Sequence, residues 1–559
     1  MIIQPLIDLA NICAKKGIKN IILSPGSRCA PITLAFARHP DLHCRTISDE
    51  RSAAFIALGM AQQLKKPVVL VCTSGTAALN YAPAVAEAFF QQIPLIIITA
   101  DRPAEWIDQW DGQTIRQEKI YGRHIKKDYS FPDEFSHQDK AWHANRISNE
   151  AINISQSFPA GPVHINIPLR EPFYPAENEK FDYSSDVRLV EQVDNENILS
   201  EEALIKLKSQ LGSYNKIMIV PGQQSPNKEL QILLDDISKS KKAIIVTDTI
   251  SNLQSEQTIN FHDQFISFTD KKSLKPDLII SFGKSIISKS LKLFLRESNA
   301  DHWHIQPNGE VPDTYQGLSK YIYCDINQFL NFLNKHLDHA NQAFYQAWHE
   351  ANNAIDSKMA DALENIDFGE FKAIYKILKH IPKNSKLHLA NSMSVRYVNF
   401  LGPREQEIIC NRGTSGIDGS NSTAVGCTFT TKDFVSLVTG DLAFFYDRNA
   451  FWHNYAFNNL RIILLNNQSG GIFRLIDGPS KQAELEEFFE TKQALQAENL
   501  AKDFNFKYYT AKDEVTLEKA LEEFYHPSIR PKILEIQSDS VKNAQILKNF
   551  KHILKEDLQ

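Results

Sequence analysis

Short unbroken apolar runs, each bounded by turn-forming residues, recur along almost the whole chain, with helically spaced stretches between them. In the first region they fall at 20–23, 68–72, 95–99 and 163–167, and the stretch 51–64 carries apolar residues at helical spacing. A strand with one wet face alternates apolar and polar residues. A strand covered on both faces reads as a continuous apolar run, the mark of a parallel sheet enclosed by helices. The pattern returns in a middle region at 216–220, 242–246, 278–282 and 303–305. A last region repeats it at 386–389, 407–410, 434–439, 461–465 and 532–536. Three successive βα blocks predict an α/β protein of three doubly wound domains with mostly parallel sheets. At 559 residues the chain is too long for one core, which agrees. The polar stretch 175–200 reads as a linker and 340–365 as a helical connection, giving domains at 1–180, 195–338 and 366–559.

The bulk numbers exclude several classes. The net charge of -6 leaves no basic field for nucleic acid. The apolar runs are strand-sized, so no membrane span is expected. Lys15 and Lys16 follow the first apolar residues rather than precede them, which argues against a signal peptide. The seven cysteines include no CxxC pair, and an odd, scattered set suits reduced thiols and a cytoplasmic protein.

Two places carry candidate chemistry. Asp441 lies just past the run 434–439 and Asn467 just past 461–465. Open α/β sheets bind ligands outside the carboxyl ends of their strands, so the two residues converge if those strands are neighbours. A carboxylate, an amide oxygen and a backbone carbonyl suit a hard cation such as Mg²⁺. Gly440 would permit a tight turn, and Gly470-Gly471 a close backbone approach to a phosphate. The plainer reading makes Asp441 a helix N-cap and Asn466-Asn467 a polar turn. The second place is Glu50, between a strand-like segment at 42–47 and a helix. Its plain role is a favourable charge at the helix N-terminus. The alternative is a carboxyl whose pKa is raised by apolar surroundings and which exchanges a proton with a ligand. Composition leaves both readings open. His302 and His304, at alternating strand positions with no clear third ligand, read as surface residues rather than a zinc site.

The ordered set Ser24-Pro25-Gly26-Ser27-Arg28, Asp49-Glu50-Arg51, Thr73-Ser74-Gly75-Thr76, Ala100-Asp101-Arg102-Pro103, Asn391-Ser392 with Arg396, Asn411-Arg412-Gly413, Ser415-Gly416-Ile417-Asp418-Gly419 and Gly440-Asp441-Leu442 resembles the thiamine diphosphate-dependent decarboxylase and carboligase superfamily. Within it, the chain is similar to the branch that decarboxylates 2-oxoglutarate and adds the four-carbon unit to isochorismate in menaquinone biosynthesis. The resemblance spans all three regions and is weakest in the middle one. It implies a pyrimidine-binding domain first, a central domain, and a diphosphate-binding domain last. It also implies a site formed between two chains, hence a homodimer or a homotetramer.

Carried over, the resemblance makes Glu50 the partner of the pyrimidine ring and Ile417 the residue that holds the cofactor bent. It places Gly440 and Gly470 against the cofactor. Asp441, Asn467 and Ser469 become ligands of Mg²⁺ or Mn²⁺. Ser469 stands where relatives commonly have glycine, a change that a backbone carbonyl ligand survives. Ser392, Arg396 and Arg412 would hold the distal carboxylate of 2-oxoglutarate. Arg28, Arg102, Gln113 and Lys289 would hold isochorismate, with Ile472 and Phe473 as an apolar wall. Each substrate carries two carboxylates, which call for cationic partners, best supplied by the bidentate fork of arginine. Another thiamine diphosphate carboligase or 2-oxoacid decarboxylase, such as an acetolactate synthase, is the alternative. A catalytically silent member is a third reading.

Overall fold

The apolar runs pair with one another. In a computed structural model that describes residues 3–177, 179–183, 186–193, 197–269, 271–337 and 341–556, they form three sheets, and every pairing between their strands is parallel. The first sheet holds β1 (Asn20–Leu23), β2 (His43–Thr46), β3 (Val68–Cys72), β4 (Leu95–Asp101), β5 (Lys127–Ser130) and β6 (Val163–Pro168), in the order β2-β1-β3-β4-β6-β5. The second holds β7 (Ile217–Pro221), β8 (Ile244–Ile245), β9 (Leu278–Phe282), β10 (Asp301–Gln306) and β11 (Leu318–Tyr323), in the order β11-β10-β9-β7-β8. The third holds β12 (Lys386–Leu389), β13 (Glu407–Ile409), β14 (Val435–Gly440), β15 (Leu460–Asn466), β16 (Lys507–Ala511) and β17 (Lys532–Gln537), in the order β13-β12-β14-β15-β17-β16.

The α/β class with parallel sheets is as the apolar runs predict. The run at 242–246 shrinks to the two residues of β8, an edge strand with one neighbour. The expected boundary positions 1, 195, 338, 340 and 559 lie outside the described residues. Of the polar stretch 175–200, residues 178, 184, 185 and 194–196 also lie outside them. Its described part is docked: Asn11 Nδ2 donates to Tyr183 O, Asn149 Nδ2 to Arg188 O, and Val187 is buried against the first sheet. His302 and His304 are not surface residues. They are 1% and 4% exposed, and both rings share the Ser281 hydroxyl. Period-2 alternation marks a wet face only when the sheet has one, and helices cover this sheet on both sides.

Seven helices place the candidate residues: α1 (Glu50–Leu64), α2 (Ala82–Gln91), α3 (Lys289–Arg296), α4 (Glu370–Leu378), α5 (Met393–Phe400), α6 (Ser420–Thr428) and α7 (Asp441–Tyr446). The first and third sheets share one core, in which α1 crosses α6 backbone to backbone. A Cβ on Gly59 would lie 2.1 Å from Thr423 O, and one on Gly426 would lie 2.0 Å from Ile56 O. Only glycine admits that approach on either helix. The second sheet packs against the third through a different core, which includes Trp348 on the helix Gln342–Asn365.

Candidate active site

β14 and β15 are neighbours, and Gly440 pairs with Leu465. The first residue of α7 and the turn after β15 therefore meet at the carboxyl edge of the third sheet. Asp441 is 2% exposed. Its Oδ1 accepts from Leu442 N at 2.8 Å and its Oδ2 from Gln493 Nε2 at 2.8 Å. Burial pushes the carboxyl up to about 6, against the pull of these bonds and of the Ser469 amide. Asn467 Oδ1 accepts from Ser469 N at 3.0 Å and from Ser469 Oγ at 3.3 Å. Its Nδ2 donates to Glu370 Oε1 at 2.7 Å.

The plainer reading of Asp441 does not hold, because Gly440 occupies the N-cap position and Asp441 is already helical. Gly440 is not there for a tight turn either. Its φ of -83° and ψ of 162° are open to any residue, and a Cβ would meet nothing within 4 Å. What the glycine leaves is space beside the carboxylate. A buried carboxylate and an amide oxygen are hard oxygen donors of the kind that could hold a divalent cation. Among the described residues, no group of three His, Cys, Asp or Glu side chains offers a metal site of another kind.

Glu50 is the first residue of α1, and its neighbour Asp49 does the capping. Asp49 Oδ1 accepts from Ser52 N at 3.0 Å and Oδ2 from Asn449 Nδ2 at 2.7 Å. Glu50 is thereby relieved of the cap. It is half-buried, and burial raises its pKa, with the charge of Asp49 adding to the rise. Ile417, on the loop leading into α6, is 45% exposed.

The arginines fall into two pairs. Arg28 is buried, stacks over Phe173 at 4.8 Å and donates to Leu169 O at 2.7 Å. Burial lowers its pKa, and the charge of Arg102 lowers it further. Arg102 is held by Gly112 O, at 3.1 Å from Nε and 2.6 Å from Nη2, and by Asp111 at 2.6 Å. Gln113 follows, exposed, with φ 54°.

In the second pair Arg396 donates to Ser392 O at 2.6 Å and Arg412 to Asn391 Oδ1 at 2.8 Å. Burial lowers the pKa of Arg396, and the nearby Arg412 adds to the effect. Arg412 Nε is buried without a partner. Ser392 sits at φ 70°, a conformation costly for a residue with a side chain and common where a site demands it. Like charges held this close favour an anion between them. Lys289 is exposed at the first position of α3. Lys292, one turn on, is the lysine that feels Arg412 and Arg396, after burial has lowered its pKa. Ile472 and Phe473 lie half-buried in the turn Gly471–Arg474, just past the Asn467 loop.

Three residues of this region carry no motif. Gln493 reaches Asp441 from the far end of a loop. Glu370 backs Asn467. Glu87, buried on α2, accepts from Gly413 N at 2.8 Å and from Thr414 N and Oγ1 at 2.6 Å each, gripping the loop that carries Arg412. In the sequence the two glutamates look like ordinary helix residues, and only their tertiary partners distinguish them.

Residues 8–120 match the family described as thiamine pyrophosphate enzyme, N-terminal TPP binding domain, and residues 188–389 match the middle domain of thiamine pyrophosphate enzymes. The chain is 47% identical to a 2-succinyl-5-enolpyruvyl-6-hydroxy-3-cyclohexene-1-carboxylate synthase of Cytophaga hutchinsonii, over 99% of each chain. It is 39% identical to the synthase of the same name from Flavobacterium johnsoniae, over 98% of this chain and 99% of the relative. Against that of Porphyromonas gingivalis the identity is 38%, over 97% and 96%.

Proposed function

The chain belongs to the family of 2-succinyl-5-enolpyruvyl-6-hydroxy-3-cyclohexene-1-carboxylate synthases, thiamine pyrophosphate enzymes of the transferase class, and from that premise we propose how its residues perform the reaction. The substrates are 2-oxoglutarate and isochorismate, the pathway is menaquinone biosynthesis, and the place is the cytoplasm. The single observation that carries this reading is the pair of arginine pairs. Arg28 with Arg102, and Arg396 with Arg412, give two separate cationic seats, as two dicarboxylate substrates require.

When bound, thiamine diphosphate supplies the carbon nucleophile and the electron sink that decarboxylation and carbon–carbon bond formation need. Glu50 would hold and exchange a proton with N1′ of the pyrimidine, a task suited to a half-buried carboxyl of raised pKa. Ile417, exposed on the loop before α6, would pack against the cofactor. Asp441, Asn467 and the Ser469 carbonyl would hold Mg²⁺ or Mn²⁺, with Gly440 and Gly470 leaving room for the diphosphate. Ser392, Arg396 and Arg412 seat the distal carboxylate of 2-oxoglutarate and so fix its keto carbon. Arg28, Arg102, Gln113 and Lys289 orient isochorismate, while Ile472 and Phe473 exclude water. The domains are a pyrimidine-binding one at 1–180, a central one at 195–338 and a diphosphate-binding one at 366–559. Glu50 of one chain works with Asp441 of another, so a homodimer is the smallest active unit.

The test is turnover of the purified protein with thiamine diphosphate, Mg²⁺ and 2-oxoglutarate, with and without isochorismate, followed by carbon dioxide release and the cyclohexadiene absorbance of the product. Isochorismate-dependent turnover that vanishes in Glu50→Gln is the expected result. Carbon dioxide from pyruvate but not from 2-oxoglutarate would overturn the substrate assignment. An active monomer in sedimentation would overturn the two-chain site.

A further inference from the structure

An asparagine that ligates a cation must present its oxygen, because the amide nitrogen carries two hydrogens and no available lone pair. The two ends of the amide are nearly the same size, and a half-turn exchanges them. Something beside Asn467 must therefore decide which end of the amide is held back and which is presented.

Glu370 is placed to decide it. The residue is 1% exposed, at the start of α4. Its Oε1 accepts from Asn467 Nδ2 at 2.7 Å and from Ser538 Oγ at 3.3 Å, and its Oε2 from Tyr397 OH at 3.1 Å. Its own amide donates to Asn543 Oδ1 at 3.1 Å, and Asn543 Nδ2 donates to Ser538 Oγ at 3.0 Å. The carboxylate is thus fixed from α5 and from the segment after β17, as well as from its own helix. On the other side of the amide, Asn467 Oδ1 takes two donors from Ser469. Turning the amide over would set its oxygen against the Glu370 carboxylate and its NH₂ against the two Ser469 donors. The contacts to the Glu370 carboxylate and to the Ser469 N–H would then be repulsive, so the network favours one orientation.

We propose that Glu370 is a positioning residue of the metal site, one that locks the Asn467 amide with its oxygen toward the cation. The proposal rests on the reading of Asp441 and Asn467 as cation ligands. Partners that orient a ligand commonly change metal affinity by 10- to 100-fold when removed.

The experiment is Mn²⁺ titration of the full-length protein with saturating thiamine diphosphate and no substrate, reading free Mn²⁺ by electron paramagnetic resonance. Glu370→Ala should weaken Mn²⁺ binding by about 10-fold or more, and Glu370→Gln, which keeps the shape and one acceptor, by a smaller factor. Ser538→Ala, which leaves the Glu370 contact to Asn467 in place, should stay within about 3-fold of the wild type. Adding Glu370→Gln to Asn467→Ala should cause no further loss, because the group being oriented is gone; a purely structural role would give an added loss. If Glu370→Ala fails to fold, Glu370→Gln and its cycle with Asn467→Ala decide the question. Wild-type Mn²⁺ affinity in the Glu370 variants, alongside loss in Asn467→Ala, would overturn the proposal alone. Wild-type affinity in Asn467→Ala and Asp441→Ala as well would overturn the metal-site reading beneath it.

Discussion

Arg412 has a guanidinium with one hydrogen-bonded nitrogen, to Asn391, and a buried Nε that has no partner. An unmet buried donor is costly, and an arriving carboxylate relieves it. Arg412→Lys keeps the charge and loses the planar fork. It should raise KM for 2-oxoglutarate by about 10- to 100-fold, on the scale of a charged hydrogen bond, and change KM for isochorismate by less than about 3-fold; steady-state kinetics with each substrate varied in turn will check this. Arg28→Lys should show the opposite selectivity. Glu50, Asp441 and these arginines could be picked out as candidates in the sequence because each follows a strand or a tight motif. Glu370, Glu87 and Gln493 were not. A glutamate in a helix is the commonest of surface residues, and nothing local tells a buried one from an exposed one. Gly440 was picked out as a site residue, but for a turn it does not make.

At the level of elements, the strands missed in the sequence are β5, β11 and β16, and each forms one edge of its sheet. An edge strand has one neighbour and an exposed flank, so its residues need not be apolar. The exposed and half-exposed positions of β11 (Leu318–Tyr323) are typical. The central strands were legible because burial on both faces leaves no other composition.

The central strand β12 carries a buried histidine. His388 of β12 is held by burial at about 3, with Lys386 adding to the depression. Its folded pKa lies below its unfolded value, so the neutral ring's contribution to stability is complete above about pH 6.5 and drains away as pH falls toward 3. The loss proceeds at about 1.4 kcal/mol per pH unit, and His302 and His453, both held at about 4, act in the same direction. Urea midpoints between pH 6.5 and 4.5 should fall less steeply in His388→Leu than in the wild type. The α1–α6 crossing gives a second prediction. Gly59→Ala should destabilise by about 1–3 kcal/mol, because the new methyl meets the Thr423 carbonyl and not a side chain that could move aside; chemical denaturation measures it.

On the scale of the whole molecule, the three sheets meet near the Arg412 loop. Glu87 grips that loop from the first sheet's helices, Gln223 Nε2 donates to Cys410 O from the end of β7, and Gln91 links the two. Glu87→Ala should therefore raise KM for 2-oxoglutarate several-fold, with the protein still folded by circular dichroism, although Glu87 lies outside every motif. This junction was invisible in the sequence. The three βα blocks could be counted, but nothing in them said which loops would touch.

The glycine crossing of α1 and α6 has one more consequence. It packs the Glu50 half and the Asp441 half of each polypeptide backbone to backbone around one shared core. On the proposed two-chain site, any reshuffling of halves must then happen by exchange of entire subunits. A chain spoiled by Glu50→Gln and another spoiled by Asp441→Asn, each inert alone, should complement when mixed. Every hybrid pair would carry one intact centre and one doubly defective one. At equal amounts half the pairs are hybrid, so a quarter of the wild-type activity should return, at the speed with which the subunits trade partners.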